Sequence, residues 1–385
     1  VSGKDLKVPR LRDAIDHITP EAAEQYSKVA PAGSVLVLVR GMGLANGFAL
    51  SLIERPMAFN QDLKALTPKD GLDSSFLMHA LTYAGTRMLR NVADAAHGTK
   101  RLSQDDLDTF QFPVPPREEQ RLIGEVLDQC RDAIDKEAAA EDVASRLRLA
   151  AVRLLFTRGV RDEDTKETDI GIMPSTWDAV PFEAALTIAQ GQVDPKVEPY
   201  ASLLHIGPEN VEPNTGRLLI CQTAKDLGLI SGKYHFRAGD IIYSKIRPYL
   251  NKVVMPTFEG VCSADMYPLR AATGFESRFL FHYLLSEFFL RQAVPHQLRT
   301  GIPKINREQL ADTAFPKPPL ADQRAIIEIL DALDAKIEVH RRKQSVLKGL
   351  LASLLQKLMT GEVRVDSLDL SALGTSATSN TEVSA

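Results

Sequence analysis

Two stretches of this chain spell nearly the same seventeen residues: FPVPPREEQRLIGEVLD from Phe112 and FPKPPLADQRAIIEILD from Phe315. Ten positions are identical, Phe112/Phe315, Pro113/Pro316, Pro115/Pro318, Pro116/Pro319, Gln120/Gln323, Arg121/Arg324, Ile123/Ile326, Glu125/Glu328, Leu127/Leu330 and Asp128/Asp331. A chain repeated in this way is constrained to build the same local structure twice. The offset of 203 positions also aligns the flanking sequence. Upstream it brings Phe76, Leu77, His79 and Leu81 onto Phe279, Leu280, His282 and Leu284; downstream it brings Thr157, Val160 and Arg161 onto Thr360, Val363 and Arg364.

Each copy has two parts. The first mixes short β-like runs, SVLVLV at Ser34 and DIIYSKI at Asp240, with helical stretches such as FLFHYLLSEFFLRQAV, and reads as a compact α/β globule. The second is a long helix. Its entry is held extended by the proline cluster, acidic residues such as Glu118, Glu119 and Asp322 favour its N-terminus, and no proline follows before Thr157 or Thr360.

In the second helix Ile326, Leu330, Leu333, Ile337, His340, Gln344, Leu347, Leu351, Leu354 and Leu358 alternate spacings of four and three, a coiled-coil seam. In the first helix Ile123, Leu127, Cys130, Ile134, Glu137, Glu141, Ala144, Arg148, Ala151 and Leu155 hold the matching places, and both seams turn polar in the middle. Two related helices are most economically buried against one another, and an antiparallel pairing relates the copies by a pseudo-twofold axis. The expected fold class is therefore α/β, in the α+β sense: two pseudo-symmetric α/β globules separated by two long helices forming an antiparallel coiled coil. At about 1.5 Å per residue, helices of roughly 40 residues hold the globules up to roughly 60 Å apart.

Composition narrows the function. Of 385 residues 44% are apolar and 25% charged, as in an ordinary globular protein. The sequence has no apolar run of membrane-spanning length and no signal-peptide pattern in VSGKDLKVPR, so a cytoplasmic protein is expected. Cys130, Cys221 and Cys262 form no CxxC pair and are expected as buried thiols, with no metal site.

The sequence lacks a GxxxxGK[ST] loop, an HExxH pair, a Gly-x-Ser-x-Gly elbow and the Asn-Pro-Pro-aromatic or Asp-Pro-Pro-aromatic tetrapeptide of amino-methylating enzymes. Gly41-Met-Gly43-Leu-Ala-Asn-Gly47 imitates a dinucleotide-binding glycine pattern, but its counterpart IRPYLNKV from Ile246 carries no glycine, so a turn is expected. His79 and His282 are expected as helix residues amid apolar neighbours. The expectation is a chain without catalytic residues or cofactors of its own.

Positive charge is local. Lys233, Arg237, Lys245, Arg247 and Lys252 stand against Asp240 alone, and Arg291, Arg299, Lys304 and Arg307 against no acid; the first copy has Arg87, Arg90, Lys100 and Arg101 against Asp94. Any one of these could be a solvated surface charge. Gathered in both copies of a chain with net charge -4, they suit phosphate contacts, with Tyr243, Tyr249, Asn251, His296 and Gln297 among them as partners for base edges. The expected DNA contacts are Lys245, Arg247, Lys252, Arg299, Lys304 and Arg307 in the second copy and Arg40, Lys100 and Arg101 in the first. Nine acids against four bases from Arg117 to Asp142 suit a protein partner instead.

Two variable globules, each closed by F-P-x-P-P-x-x-x-Q-R and a long helix ending near Thr-x-x-Val-Arg, resemble the specificity subunit of Type I restriction-modification systems. The resemblance covers nearly the whole chain, and GIMPSTW at Gly171 looks like the family's entry to a target recognition domain. It implies a first recognition domain at 1–112, a spacer helix at 113–160, a linker at 161–176, a second recognition domain at 177–315, a spacer helix at 316–361 and a disordered tail at 362–385. Trp177 shifted back by 203 falls before Val1, so the first domain is expected to lack its opening segment. The family's role is to read the two halves of a bipartite target in double-stranded DNA. Two methyltransferase subunits bring S-adenosylmethionine for adenine methylation, and restriction subunits bring ATP and Mg for translocation and cleavage. The competing reading is a coiled-coil interaction scaffold without DNA specificity.

Overall fold

In the computed structural model the described residues are 1–89, 93–94, 100–102, 104–297 and 303–368. The chain forms two compact units, Val1–Ala140 with Val339–Ala385, and Glu141–Glu338. Each unit takes one α/β globule and half of each long helix, Arg117–Arg158 and Leu320–Thr360. The units are thus discontinuous in sequence, unlike the serial division expected from the repeat.

The first unit is built on a four-stranded sheet in the order Arg10–Leu11, Leu50–Ile53, Val35–Leu38, Leu63–Leu66, parallel only at the Arg10–Leu11 edge. Every side chain of Val35–Leu38 is buried, which is why this strand reads as an unbroken apolar run. Helix Ser74–Met88 covers the sheet with Leu77, Met78, Leu81, Ala84 and Met88; its first turn is capped by Asp73, which accepts from the Phe76 amide at 3.0 Å. Lys28–Ala30 and Met57–Phe59 form a separate antiparallel ladder.

The second unit repeats this plan with more strands. Leu186–Ile188, Met266–Ala271, Ile241–Ser244 and Val253–Val254 make one antiparallel sheet; Gln192–Val193, Lys233–Phe236, Gly260–Cys262 and Leu204–Ile206 make a second, mixed sheet, parallel only at the Leu204–Ile206 edge. Asp178–Pro181 pairs with Ala314–Lys317 across the end of the globule. Trp177, Tyr243, Tyr283, Phe279, Phe289 and Phe315 fill the core, with Phe156 of the first long helix 5.3 Å from the Tyr283 ring. In the first unit the matching segment from Gln111 has no strand partner among the described residues, and Phe112 is only half-buried beside a cavity of about 310 Å³.

The repeated motif is a latch. Gln120 is buried; its Oε1 accepts from the Asp73 amide at 2.8 Å and its Nε2 donates to the carbonyls of Gly71 at 3.0 Å and Pro115 at 2.8 Å. Gln323 repeats every bond, with Glu276 at 2.8 Å, Gly274 at 3.0 Å and Pro318 at 3.0 Å. About two turns further along, Asp128 meets the buried His79 at 3.0 Å and Asp331 meets the buried His282 at 2.8 Å. Each long helix is therefore pinned to its globule by the same glutamine and the same carboxylate.

Within the first unit, Ile123, Val126 and Leu127 at the start of the first long helix pack against Leu354, Leu355, Leu358 and Met359 at the end of the second. Within the second unit, Ile326, Ile327 and Leu330 pack against Ala151, Val152, Leu155 and Phe156. Start meets end in both, so the helices pair antiparallel. In the first unit Glu137 Oε2 lies 2.6 Å from His340 Nδ1; these residues occupy the same repeat position, so the antiparallel pair crosses at equivalent residues there. Arg161 grips both oxygens of Asp322 at 3.0 and 3.1 Å in the second unit, and its counterpart Arg364 faces Glu119 at 3.8 Å in the first.

Candidate nucleic-acid interface

The same backbone device gathers the basic residues in each unit. Strand Val35–Leu38 runs into a loop whose Arg40 forms an isolated antiparallel bridge with Arg101; the Gly41 amide donates to Lys100 O at 2.9 Å and the Leu102 amide to Val39 O at 2.9 Å. Strand Ile241–Ser244 runs into the equivalent loop. There Ile246 bridges Lys304, the Arg247 amide donates to Pro303 O at 2.7 Å and the Ile305 amide to Lys245 O at 2.9 Å.

Arg40 and Arg101 are exposed and, with Gln61 and Lys64, line a cleft of about 130 Å³; Lys100 beside them is half-buried. A cavity of about 980 Å³ lies elsewhere in this unit, lined by Asp5, Asp13 and Asp16 together with Lys28, Arg55 and Lys64.

In the second unit Arg247 and Lys304 are exposed. The Lys245 ammonium donates to Ala264 O, faces Asp265 at 3.6 Å and lies over the Tyr267 ring, which Arg307 also covers at 5.2 Å while donating to Ala189 O. Lys252 donates to Pro208 O at 2.5 Å. Lys233 points inward to Ser231, and burial pushes its ammonium below the usual lysine range. The bridge thus collects Lys245, Arg247 and Lys304 with Arg307 behind them, while Lys252 is turned to another loop. Arg299 and Arg90 lie outside the described residues.

The glycine stretch after Val35–Leu38 is a turn, as expected: Gly41 sits at φ 130° and a short 3-10 helix, Met42–Ala45, follows. In the second unit the same place is taken by Pro248–Leu250, flanked by Arg247 at φ 48° and Asn251 at φ 45°. Neither is a glycine, and both hold the left-handed backbone region.

Two histidines that sequence reasoning left as bland helix residues, His79 and His282, are hydrogen-bonding centres of the latch. Burial pushes His79 and His282 below the ordinary histidine value against the pull of their aspartates. Burial opposes ionisation of Asp128 too, but hydrogen bonds from His79, Arg10 and Ser75 outweigh it and bring the carboxyl down to about 2. A neutral histidine donating to a carboxylate fits both directions. Their signal in the sequence was the matched spacing of His79 to Asp128 and His282 to Asp331. Cys130 and Cys262 are buried, whereas Cys221 is half-exposed, a correction to the expectation of three buried thiols.

Among the described residues His282, Asp331 and Asp334 have the spacing of metal ligands. The carboxylates are already held by Arg278 and Arg148, and His282 turns Nε2 to Asp331 and Nδ1 to Asp334, so the group is an internal ion-pair network.

Comparison with known proteins agrees with this architecture. The specificity subunit of the Type I restriction enzyme EcoDI of Escherichia coli is 29% identical over 289 residues, covering 68% of this chain and 64% of that protein. The MjaVIII specificity subunit of Methanocaldococcus jannaschii is 25% identical over 286 residues, covering 71% and 66%. The chain therefore spans less than two thirds of either relative. In fold it is similar to the crystal structure of the S subunit of the Type I restriction-modification system of M. genitalium, with a TM-score of 0.57 at 15% identity over 86% of this chain and 84% of that one. The family model for the Type I restriction modification DNA specificity domain matches residues 16–142 and again 214–348, well over half of the sequence. With its latch, helix and basic bridge built twice, the chain belongs to the family of Type I restriction modification DNA specificity domains.

Proposed function

We propose that this chain is the sequence-specificity subunit of a Type I restriction-modification complex, in which each unit reads one half of a bipartite target in double-stranded DNA and the paired helices set the gap. The observation that carries it is the duplicated bridge: the same backbone hydrogen bonds present exposed cations, Arg40 and Arg101 in one unit, Arg247 and Lys304 in the other. Exposed cations of this kind suit contact with a duplex, at its phosphates or at its base edges. Lys100, Lys245 and Arg307 complete the proposed basic surface.

Chemistry belongs to partners in this reading. Methyltransferase subunits carry S-adenosylmethionine and methylate adenine N6; restriction subunits carry ATP and Mg, translocate and cut. Docking of two methyltransferase subunits is supported by an exposed apolar pair repeated on both long helices, Val143 and Leu147 on the first and Val346 and Leu350 on the second. The acidic residues of the first helix suit a protein and repel phosphate.

The test is selection of bound duplexes from a random pool by the chain assembled with adenine methyltransferase subunits. Two fixed half-sites with a constant gap are expected, with affinity falling steeply between about 50 and 200 mM salt through counterion release. A single contiguous site overturns the bipartite reading. Absence of DNA affinity at low salt favours the scaffold.

A further inference from the structure

Resting on that reading, we propose that Arg247 is the base-reading residue of the second unit, donating its guanidinium to a guanine edge in the major groove, while Lys304 and its counterpart Arg101 hold phosphates. The two units share a scaffold but not its tip. Arg101 and Lys304 occupy the same side of the bridge in the two copies, and both are cationic. Across from them, the residue whose amide donates to the bridge is Gly41 in one unit and Arg247 in the other. Phosphates are the same in every sequence, so a phosphate contact belongs to both copies; a base contact must differ between halves that read different sequences.

Reading also needs fixed donors. Arg247 stands at φ 48° and ψ 60°, and Asn251 at φ 45° and ψ 54°, so a five-residue loop is pinned at both ends in a conformation unfavourable for side-chain-bearing residues. The pins are specific. The Arg247 amide donates to Pro303 O at 2.7 Å, and the Asn251 side chain, 3% exposed, donates to Leu285 O at 3.0 Å. Lys245 and Lys252, flanking the loop, donate to Ala264 O and Pro208 O. These three are positioning residues. The Arg247 side chain has no hydrogen-bond or ion-pair partner among the described residues and is left to its ligand. Strain held by surrounding bonds at an exposed cation is what a preorganised donor fork requires.

Arg247→Gly tests this without risk to the fold, because glycine suits φ 48° and Gly41 occupies the same place in the other unit. In the complex with methyltransferase subunits, site selection with this variant should lose preference at one base pair of one half-site. Affinity for the wild-type site should fall about tenfold to a hundredfold, and binding to unrelated duplex should barely change. Thermal stability should hold or rise. Lys304→Ala should instead weaken all duplexes alike and flatten the salt dependence. Asn251→Gly, which keeps the backbone but drops the hydrogen bond, should blur the same base pair that Arg247→Gly loses. Uniform weakening by Arg247→Gly, or unchanged base preference, overturns the assignment. A wild-type complex that binds no duplex overturns the functional reading beneath it instead.

Discussion

Gln120 and Gln323 show how one residue can serve as a fastener. Each satisfies one amide and two carbonyls that would otherwise be buried unpaired at the turn into a long helix. Gln323→Ala should cost about 3 kcal/mol in urea unfolding, since orphaned buried groups cost about 1 to 3 kcal/mol each and some will find water. Asp128 is the pH-sensitive member. Its folded value of about 2 lies below the unfolded one, so its stabilisation is present above about pH 4 and is lost as pH falls toward 2. Asp128→Asn should remove about 2 kcal/mol at neutral pH and flatten the acid limb of a stability profile over that window. His79, lowered by burial, adds an earlier loss as pH drops below about 6.5, the unfolded histidine value. The identity of these residues was legible from the repeat. Their roles were not, because the partners of the glutamines are backbone atoms and sequence patterns record side chains. The same reason hid the engagement of Lys245 and Lys252 with carbonyl oxygens.

Among the elements, the long helices were the most legible, since heptad spacing follows from helix geometry alone. The polar break in the seam was visible as Glu137 and His340; that they would face one another followed only once the helices paired. Replacing both by leucine should raise the melting temperature while loosening register, read as additional helix-to-helix cross-links, because a half-buried polar pair in the seam fixes alignment at a cost in stability. Sequence identity misled at Phe112 and Phe315. Phe315 is fully buried under the Asp178–Pro181 ladder, whereas Phe112 has no such cover among the described residues. Phe315→Ala should destabilise its unit by about 3 to 5 kcal/mol and Phe112→Ala by clearly less, as measured by urea unfolding of each variant. The burial difference comes from a strand outside the repeated stretch, which no comparison of the two motifs could supply.

At the scale of the molecule, the repeat runs serially while compactness does not. Each unit closes only by taking the end of one helix against the start of the other, so the described units are discontinuous in sequence. The repeat announced two globules and two helices, and the exchange of helix halves emerged from where apolar faces are buried. Net charge of -4 gave no hint of DNA, since the exposed cations proposed to meet it sit on one bridge in each unit. In the proposed function the two units are independent readers of one bipartite target. Sequencing the duplexes selected by the assembled complex, for wild type and for Arg247→Gly side by side, tests it most directly. Two sequence blocks at constant separation are expected in the wild type, with only one block altered in the variant. A single uninterrupted block, or a variant that alters both blocks together, would contradict it.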